Sequence, residues 1–400
     1  METLNTAYFD KLSQPFVERQ DEIDLYILLK LAKRIKEIGE LSPLNLNSFE
    51  QFLKTSENLE EIQRELDKLY KQQHDEIRSI ITLAAEESYL QCEPMFKHRK
   101  VDFLPFMLND DLQDILMAYI IALQTLYTEM ENGVGYYMTD KITGNKALMS
   151  VADTYIYTAN SAIQAKRTST LDYNLVMRPY IDELLTSKLR VDTSDNDTPQ
   201  IRTFSGVASN LILNGIRDVI VAVQNEVGRI LHADGKEIIA HINSAPDHEP
   251  SQGHQFTNEQ FERIQSGQDF EDLQGRKYIG FPRAIGTWNC RHIVKSILCG
   301  VTKQQLSDEA LEEIKAKNAK GYTFPDGRHL TMYECTQQQR RMENNIRKYK
   351  NECLVAKAVG DTAFANKFRA KAYKERVKYL TFSKNCGLKP KRSKIRLIGL

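Results

Sequence analysis

The spacing of the apolar residues limits most strongly what this chain can fold into. Over long stretches they recur at steps of three and four, which places them on one face of an α-helix. Within residues 212–231, Ile216, Val219, Ile220, Val223, Val227 and Ile230 form one stripe, and Asp234-Gly235 ends it. Residues 15–40 repeat the pattern with Leu25, Leu28, Ala32, Ile35 and Ile38, followed by Gly39 and Pro43 as stop signals. Ser48 reads as the cap of a short helix. Ser56 reads as the cap of a longer one reaching Tyr89, with Leu59, Ile62, Leu66, Leu69, Ile77, Ile80 and Ile81 inside it. Further helices are expected over 112–130, 152–165, 304–318, 331–358 and 362–382. The predicted class is mostly α.

The helical pattern lapses between about 236 and 300, where His, Gly, Pro and aromatic residues become frequent. Short strands at 237–242 and 278–281, joined by long turns, fit this segment best and make it a small, turn-rich α+β module. The predicted organisation is a helical region at 1–235, the α+β core module at 236–302, a helical basic region at 303–384 and a basic tail at 385–400. The polar stretch 193–199 reads as a surface loop. No segment repeats with a period of 20–50 residues.

Charge divides the chain unevenly. Lys+Arg and Asp+Glu both number 54, yet residues 335–400 hold 18 of the basic residues and only 4 of the acidic ones. An acidic body thus carries a basic end, and such ends meet nucleic acid or an acidic protein surface. Lys389, Lys391, Arg392, Lys394 and Arg396 are the candidate contacts in the expected tail. No uninterrupted apolar run approaches the roughly 20 residues of a bilayer-spanning helix. The first residues also lack the basic region and apolar stretch of an export signal. Synthesis in a cytoplasm, without autonomous export and with no membrane partner, is expected. The six cysteines are sparse and irregularly spaced, so they read as reduced thiols. There is no phosphate-binding loop signature or dinucleotide fingerprint to support a motor or redox role.

Four residues have the chemistry of zinc ligands: His248, His254, Cys290 and His292. Their spacing matches no standard zinc signature. The favoured reading makes His248 and His292 core polar residues that bond loop backbone. No cofactor is therefore expected, and zinc is the alternative. A Cys-x-His pair on a strand faces one side, so Cys290 and His292 can share a site. Cys290 with either histidine, oriented by Asp247, also has the residue types of a nucleophilic hydrolase. No Gly-rich elbow flanks Cys290 to support that. Asp247 and Glu249 read as a solvated acidic turn before Pro250 rather than as a paired carboxylate site. Gly253 is placed where a turn needs positive φ. Farther along, Met342, Ile346, Tyr349 and Cys353 form a buried stripe. Arg340, Arg341, Arg347, Lys348 and Lys350 surround it, and Glu343 is spaced to pair with Arg347 across one turn. Tyr349, Tyr373 and Tyr379 fall at core spacing rather than as a stacking platform.

Two stretches resemble a known family. The first is Asp247-His248-Glu249-Pro250 with Gln252-Gly253, then Trp288-Asn289-Cys290-Arg291-His292. The second is Tyr333, then Gln337-Gln338-Gln339-Arg340-Arg341-Met342-Glu343, Ile346-Arg347 and Lys350. Their order and separation resemble the minor capsid proteins of tailed phages of Gram-positive hosts, most clearly over residues 240–385. That family is distantly similar to the head-morphogenesis proteins of the phage Mu type. Its pattern assigns the motif positions to His248, Gln252, Gly253, Asn289, Cys290, Arg291, His292, Tyr333, Gln337, Arg340, Glu343 and Arg347. The chain departs from the pattern where Ile293-Val294-Lys295-Ser296-Ile297 stands in place of an aromatic residue and a proline before Gly300.

The resemblance implies a non-enzymatic virion component in several copies, acting in head morphogenesis and DNA packaging. It would lie inside the head near the portal vertex. Its partners would be the portal protein, the major capsid protein and packaged double-stranded DNA, with the N-terminal helices offering assembly contacts. The rival classes are a Cys-His hydrolase or nuclease-like effector carried in the virion, and a nucleic-acid-binding protein with no virion role.

Overall fold

The computed structural model describes residues 6–53, 57–139, 144–168, 178–179, 181–185, 188–193, 200–239, 248–271, 276–287, 290 and 292–395. Its α-helices are α1 (Thr6–Glu40), α2 (Pro43–Leu53), α3 (Glu57–Leu90), α4 (Glu93–Arg99), α5 (Asp110–Asn132), α6 (Val151–Thr168), α7 (Phe204–Ile230), α8 (Asn258–Gln265), α9 (Asp308–Lys320), α10 (Met332–Val359) and α11 (Thr362–Asn385). The mostly α class holds. Each strongly periodic stretch is a helix, because its apolar stripe finds a core to enter.

Two helix starts differ from expectation. α1 begins at Thr6 and runs through Pro15. α2 begins at Pro43, so Ser48 lies inside it rather than capping it. The Ser42 carbonyl accepts the Asn45 and Leu46 N–H groups at 3.0 and 3.2 Å, which makes Ser42 the residue that opens the helix. Proline at the following position is pre-organised for a first helical turn. α7 is long and apolar enough to cross a bilayer by composition. Its stripe of Ile212, Ile216, Val219, Ile220, Val223 and Val227 is nevertheless buried in protein, together with Arg217 and Gln224.

The chain forms two compact units, each assembled from distant segments. The first comprises Met1–Phe16, His74–Tyr127 and Ser209–Thr336. It contains an antiparallel sheet in the order β6-β5-β9, formed by β5 (Gly235–Ile238), β6 (Gln255–Thr257) and β9 (Val294–Ile297). Two short ribbons join it: β7 (Phe270–Glu271) with β8 (Lys277–Tyr278), and β10 (Tyr322–Thr323) with β11 (His329–Leu330). Strands were expected at 237–242 and 278–281. The first starts two residues earlier, and 240–247 lie outside the described residues. The second ends at Tyr278, because the Phe281 N–H donates to the Ile264 carbonyl of α8 instead of continuing a ladder.

The second unit comprises Val17–Gln73, Thr128–Ala208 and Gln337–Leu400. It holds an antiparallel four-stranded sheet, in the order β2-β1-β3-β4, that the helical reading of 1–235 did not include. Its strands are β1 (Val134–Thr139), β2 (Lys146–Ser150), β3 (Leu189–Asp192) and β4 (Ile201–Thr203). α6 packs on β1 and β2. The same unit contains most of α10 and all of α11, whose shared core includes Cys353, Ala356, Phe364, Ala365 and Phe368.

Candidate functional site

The predicted module is built on β5, β6 and β9 in the first unit. α8 follows β6 and is opened by a capping box in which Thr257 and Gln260 exchange hydrogen bonds with each other's backbone. Ile238, Phe256, Ile264, Phe270, Tyr278, Phe281, Ile285, Cys290 and Val294 make its core. Four of the five residues that depart from the family pattern after His292, Val294–Ile297, form β9, which pairs with β5 from Ile238↔Val294 to Gly235↔Ile297.

Three of the four predicted ligand residues meet at the margin of this core. Nδ1 of His248 stands 3.2 Å from Nδ1 of His292, and Cys290 Sγ lies 3.5 Å from His292 Nδ1 and 3.9 Å from His248 Nδ1. All three residues are buried. His248 precedes a 3-10 turn, Glu249–Ser251, that contains Pro250. The chain then reverses at Gly253, whose φ of +78° suits glycine and whose N–H donates to the Ile238 carbonyl at 2.6 Å. This is the positive-φ turn expected there. His248 Nε2 lies 2.6 Å from the Arg283 carbonyl, so in the neutral ring Nε2 carries the proton and donates it. Nδ1 then presents its lone pair to the other two residues.

Cys290 and His292 lie in the turn-rich stretch before β9, not on a strand, so strand alternation does not bring them together. Local turns do: the Cys290 N–H donates to the Thr287 carbonyl at 3.0 Å. Arg217 of α7 clamps the same loop. Its Nη1 donates to the carbonyls of Thr287 and Cys290 at 2.8 and 2.5 Å, and its other nitrogens pair with Asp218. Burial alone pushes the Cys290 thiol up, but hydrogen bonding with His248 and with the Gly286 and His292 backbone outweighs it and leaves the pKa below the ordinary thiol value.

The fourth predicted ligand, His254, does not join. Beyond the Gly253 turn its ring lies against Tyr278, and its Nδ1 is 3.9 Å from the Asp308 carboxylate. Glu249 is half-buried and accepts a hydrogen bond at 3.2 Å from the Asn318 side chain of α9, 69 residues away, instead of standing in a solvated turn bonded to its local backbone. Gln252 is buried. Asp247, Trp288, Asn289 and Arg291 lie outside the described residues. Arg217 went unnoticed in the sequence, although a lone arginine within an apolar helical stripe was the available signal.

The second motif lies on α10. The Tyr333 N–H donates to Asn318 Oδ1 at 3.0 Å. Gln337 and Arg340 are half-buried, whereas Gln339, which is not among the assigned motif positions, is buried. Its amide donates to Ser383 Oγ at 2.9 Å and to the Lys389 carbonyl at 3.3 Å. Glu343 and Arg347 do not pair as expected. Glu343 is buried and accepts the Tyr379 hydroxyl at 2.8 Å, while Arg347 pairs with Asp21 at 2.6 Å.

Two expectations about the basic end are corrected. The described part of the expected tail folds back: Lys391 N–H donates to the Tyr379 hydroxyl at 2.8 Å, and Ile395 is buried with Ile346 and Tyr379. Lys389 and Arg392 remain exposed, Lys391 and Lys394 are half-buried, and Arg396 lies outside the described residues. Tyr379 is core, but Tyr373 is 63% exposed and shares an outer face of α11 with Val377 and Leu380.

Comparison with known families gives the class of the protein. Residues 4–382 match a bacteriophage capsid family. The chain belongs to the phage minor capsid protein 2 family and is a structural protein of the virion. Searches of curated proteins and of solved structures return no match.

Proposed function

We propose that this protein is a head-morphogenesis component lying inside the capsid beside the portal, where it contacts portal protein, major capsid protein or packaged double-stranded DNA. The family match over nearly the whole chain carries this reading. Surface chemistry supports it in each unit. In the first, Met107, Leu108 and Ile121 are 65%, 68% and 57% exposed and so are available to a protein partner. In the second, Lys367, Arg369, Lys371, Lys374, Lys378 and Lys384 are exposed along α11 beside Tyr373, Val377 and Leu380. Such a face suits phosphates or an acidic protein surface.

No catalytic step is part of the proposal, and the buried position of Cys290 gives a substrate no open approach to its sulfur. Cross-linking of intact virions followed by mass spectrometry tests the placement. Links from exposed lysines of α11 to portal protein support it; links confined to tail or outer-capsid proteins would contradict it.

A further inference from the structure

We propose that His248, Cys290 and His292 bind a zinc ion that staples the turn-rich module together. The three donor atoms are separated by 3.2, 3.5 and 3.9 Å. A single point lies about 2.1 Å from all three, within the roughly 2.0–2.3 Å span of zinc–imidazole and zinc–thiolate bonds. Imidazole nitrogen and thiolate sulfur are the donors that zinc prefers. Three protein ligands leave a fourth position for water.

The surroundings hold these donors in the orientation that a metal needs. Ligating histidines commonly donate their other N–H to a carbonyl, which fixes the tautomer and aims the free nitrogen. His248 does this through Nε2 to the Arg283 carbonyl at 2.6 Å. Arg217 holds the carbonyls of Thr287 and Cys290, so the loop bearing the thiol is tied to α7. The Phe281 ring packs edge-on against His248 at 4.8 Å between centroids.

The ligands also sit where a cross-link has most effect. His248 and Cys290 are 42 residues apart and belong to two turn-rich stretches. The β7–β8 ribbon between them is only two residues long on each side. On binding, the Cys290 S–H bond breaks, its proton goes to solvent, and sulfur donates an electron pair to the ion.

The full-length protein, purified without chelators, should carry about one zinc per chain by elemental analysis. Cys290→Ser, His248→Ala and His292→Ala should each lower that content at least tenfold, while Cys299→Ser and His254→Ala should leave it unchanged. Cobalt(II) added to chelator-stripped wild-type protein should give a near-ultraviolet sulfur-to-cobalt charge-transfer band, a readout that does not depend on any variant folding. Substoichiometric zinc below about a tenth of an ion per chain, with no cobalt–thiolate band from folded wild-type protein, would overturn the proposal. So would full zinc retention by Cys290→Ser.

Discussion

The Tyr379 hydroxyl donates to the Glu343 carboxylate at 2.8 Å and accepts the Lys391 N–H at 2.8 Å, so one oxygen joins α10, α11 and the C-terminal segment. Burial holds the phenol above its ordinary pKa, so it stays a donor at every physiological pH. Tyr379→Phe strands a buried carboxylate oxygen and a backbone N–H. A hydrogen bond to a charged group contributes about 1.5–3 kcal/mol, and a loss of about 2 kcal/mol is expected in urea denaturation. Glu343→Gln, whose amide oxygen still accepts, should lose less. Equal stability of Tyr379→Phe and wild type would show that this oxygen contributes nothing.

Glu131 gives the second unit a pH dependence near neutrality. Burial first, and the neighbouring Asp67 second, raise its carboxyl from 4.5 to about 7. The folded protein therefore binds more protons than the unfolded chain between those values. The sign follows: stability contributed by the protonated group is full below about pH 4.5 and is lost as pH rises towards 7. Glu131→Gln should remove this slope, giving melting temperatures that vary less between pH 5 and 7.5 than those of wild type.

Arg347 pairs with the half-buried Asp21 and acts through its charge on the buried Asp24. Burial raises the pKa of Asp21, and Arg347 partly offsets it; burial and Asp21 together raise Asp24 well above its ordinary value. Arg347→Ala removes the offset, so both folded-state values rise further and stability falls as pH rises. The expected loss is about 1–3 kcal/mol at pH 8, of the order found when a charged hydrogen-bond partner is deleted. It should be smaller at pH 4.5, where the carboxyls are closer to neutral. A pH-independent loss would show that Arg347 acts through packing.

Much of the helical frame was legible because stripes such as Ile216 to Ile230 announce a period that only a helix satisfies. The β1–β4 sheet was not. β1 is buried at Val134, Gly135, Tyr136 and Met138 and so lacks clean alternation, and β4 is three residues long. The His–Cys residues were named from chemistry alone, but their company was set by topology. The Gly253 turn sends His254 away from His248, and the 42-residue return to Cys290 cannot be read from spacing. Glu343 and Arg347 had the right separation to pair, yet each met a partner distant in sequence, as long-range packing overrides local opportunity.

Gly253 leaves no room for a single added methyl. Besides its positive φ, an added Cβ would stand 2.4 Å from Leu311 Cδ2. Left-handed backbone costs a non-glycine residue about 1–2 kcal/mol, and overpacking adds about as much again. Gly253→Ala should lower stability by about 2–4 kcal/mol in a denaturant melt. Leu311→Ala is destabilising in its own right, but by making room it should leave the double variant less destabilised than the sum of the two single losses.

Quantitative mass spectrometry of purified virions tests the central claim most directly. A structural minor capsid protein predicts this polypeptide in every mature particle, at a fixed ratio to portal protein and far below the major capsid protein. Particles that assemble and infect while containing none of it would contradict that account.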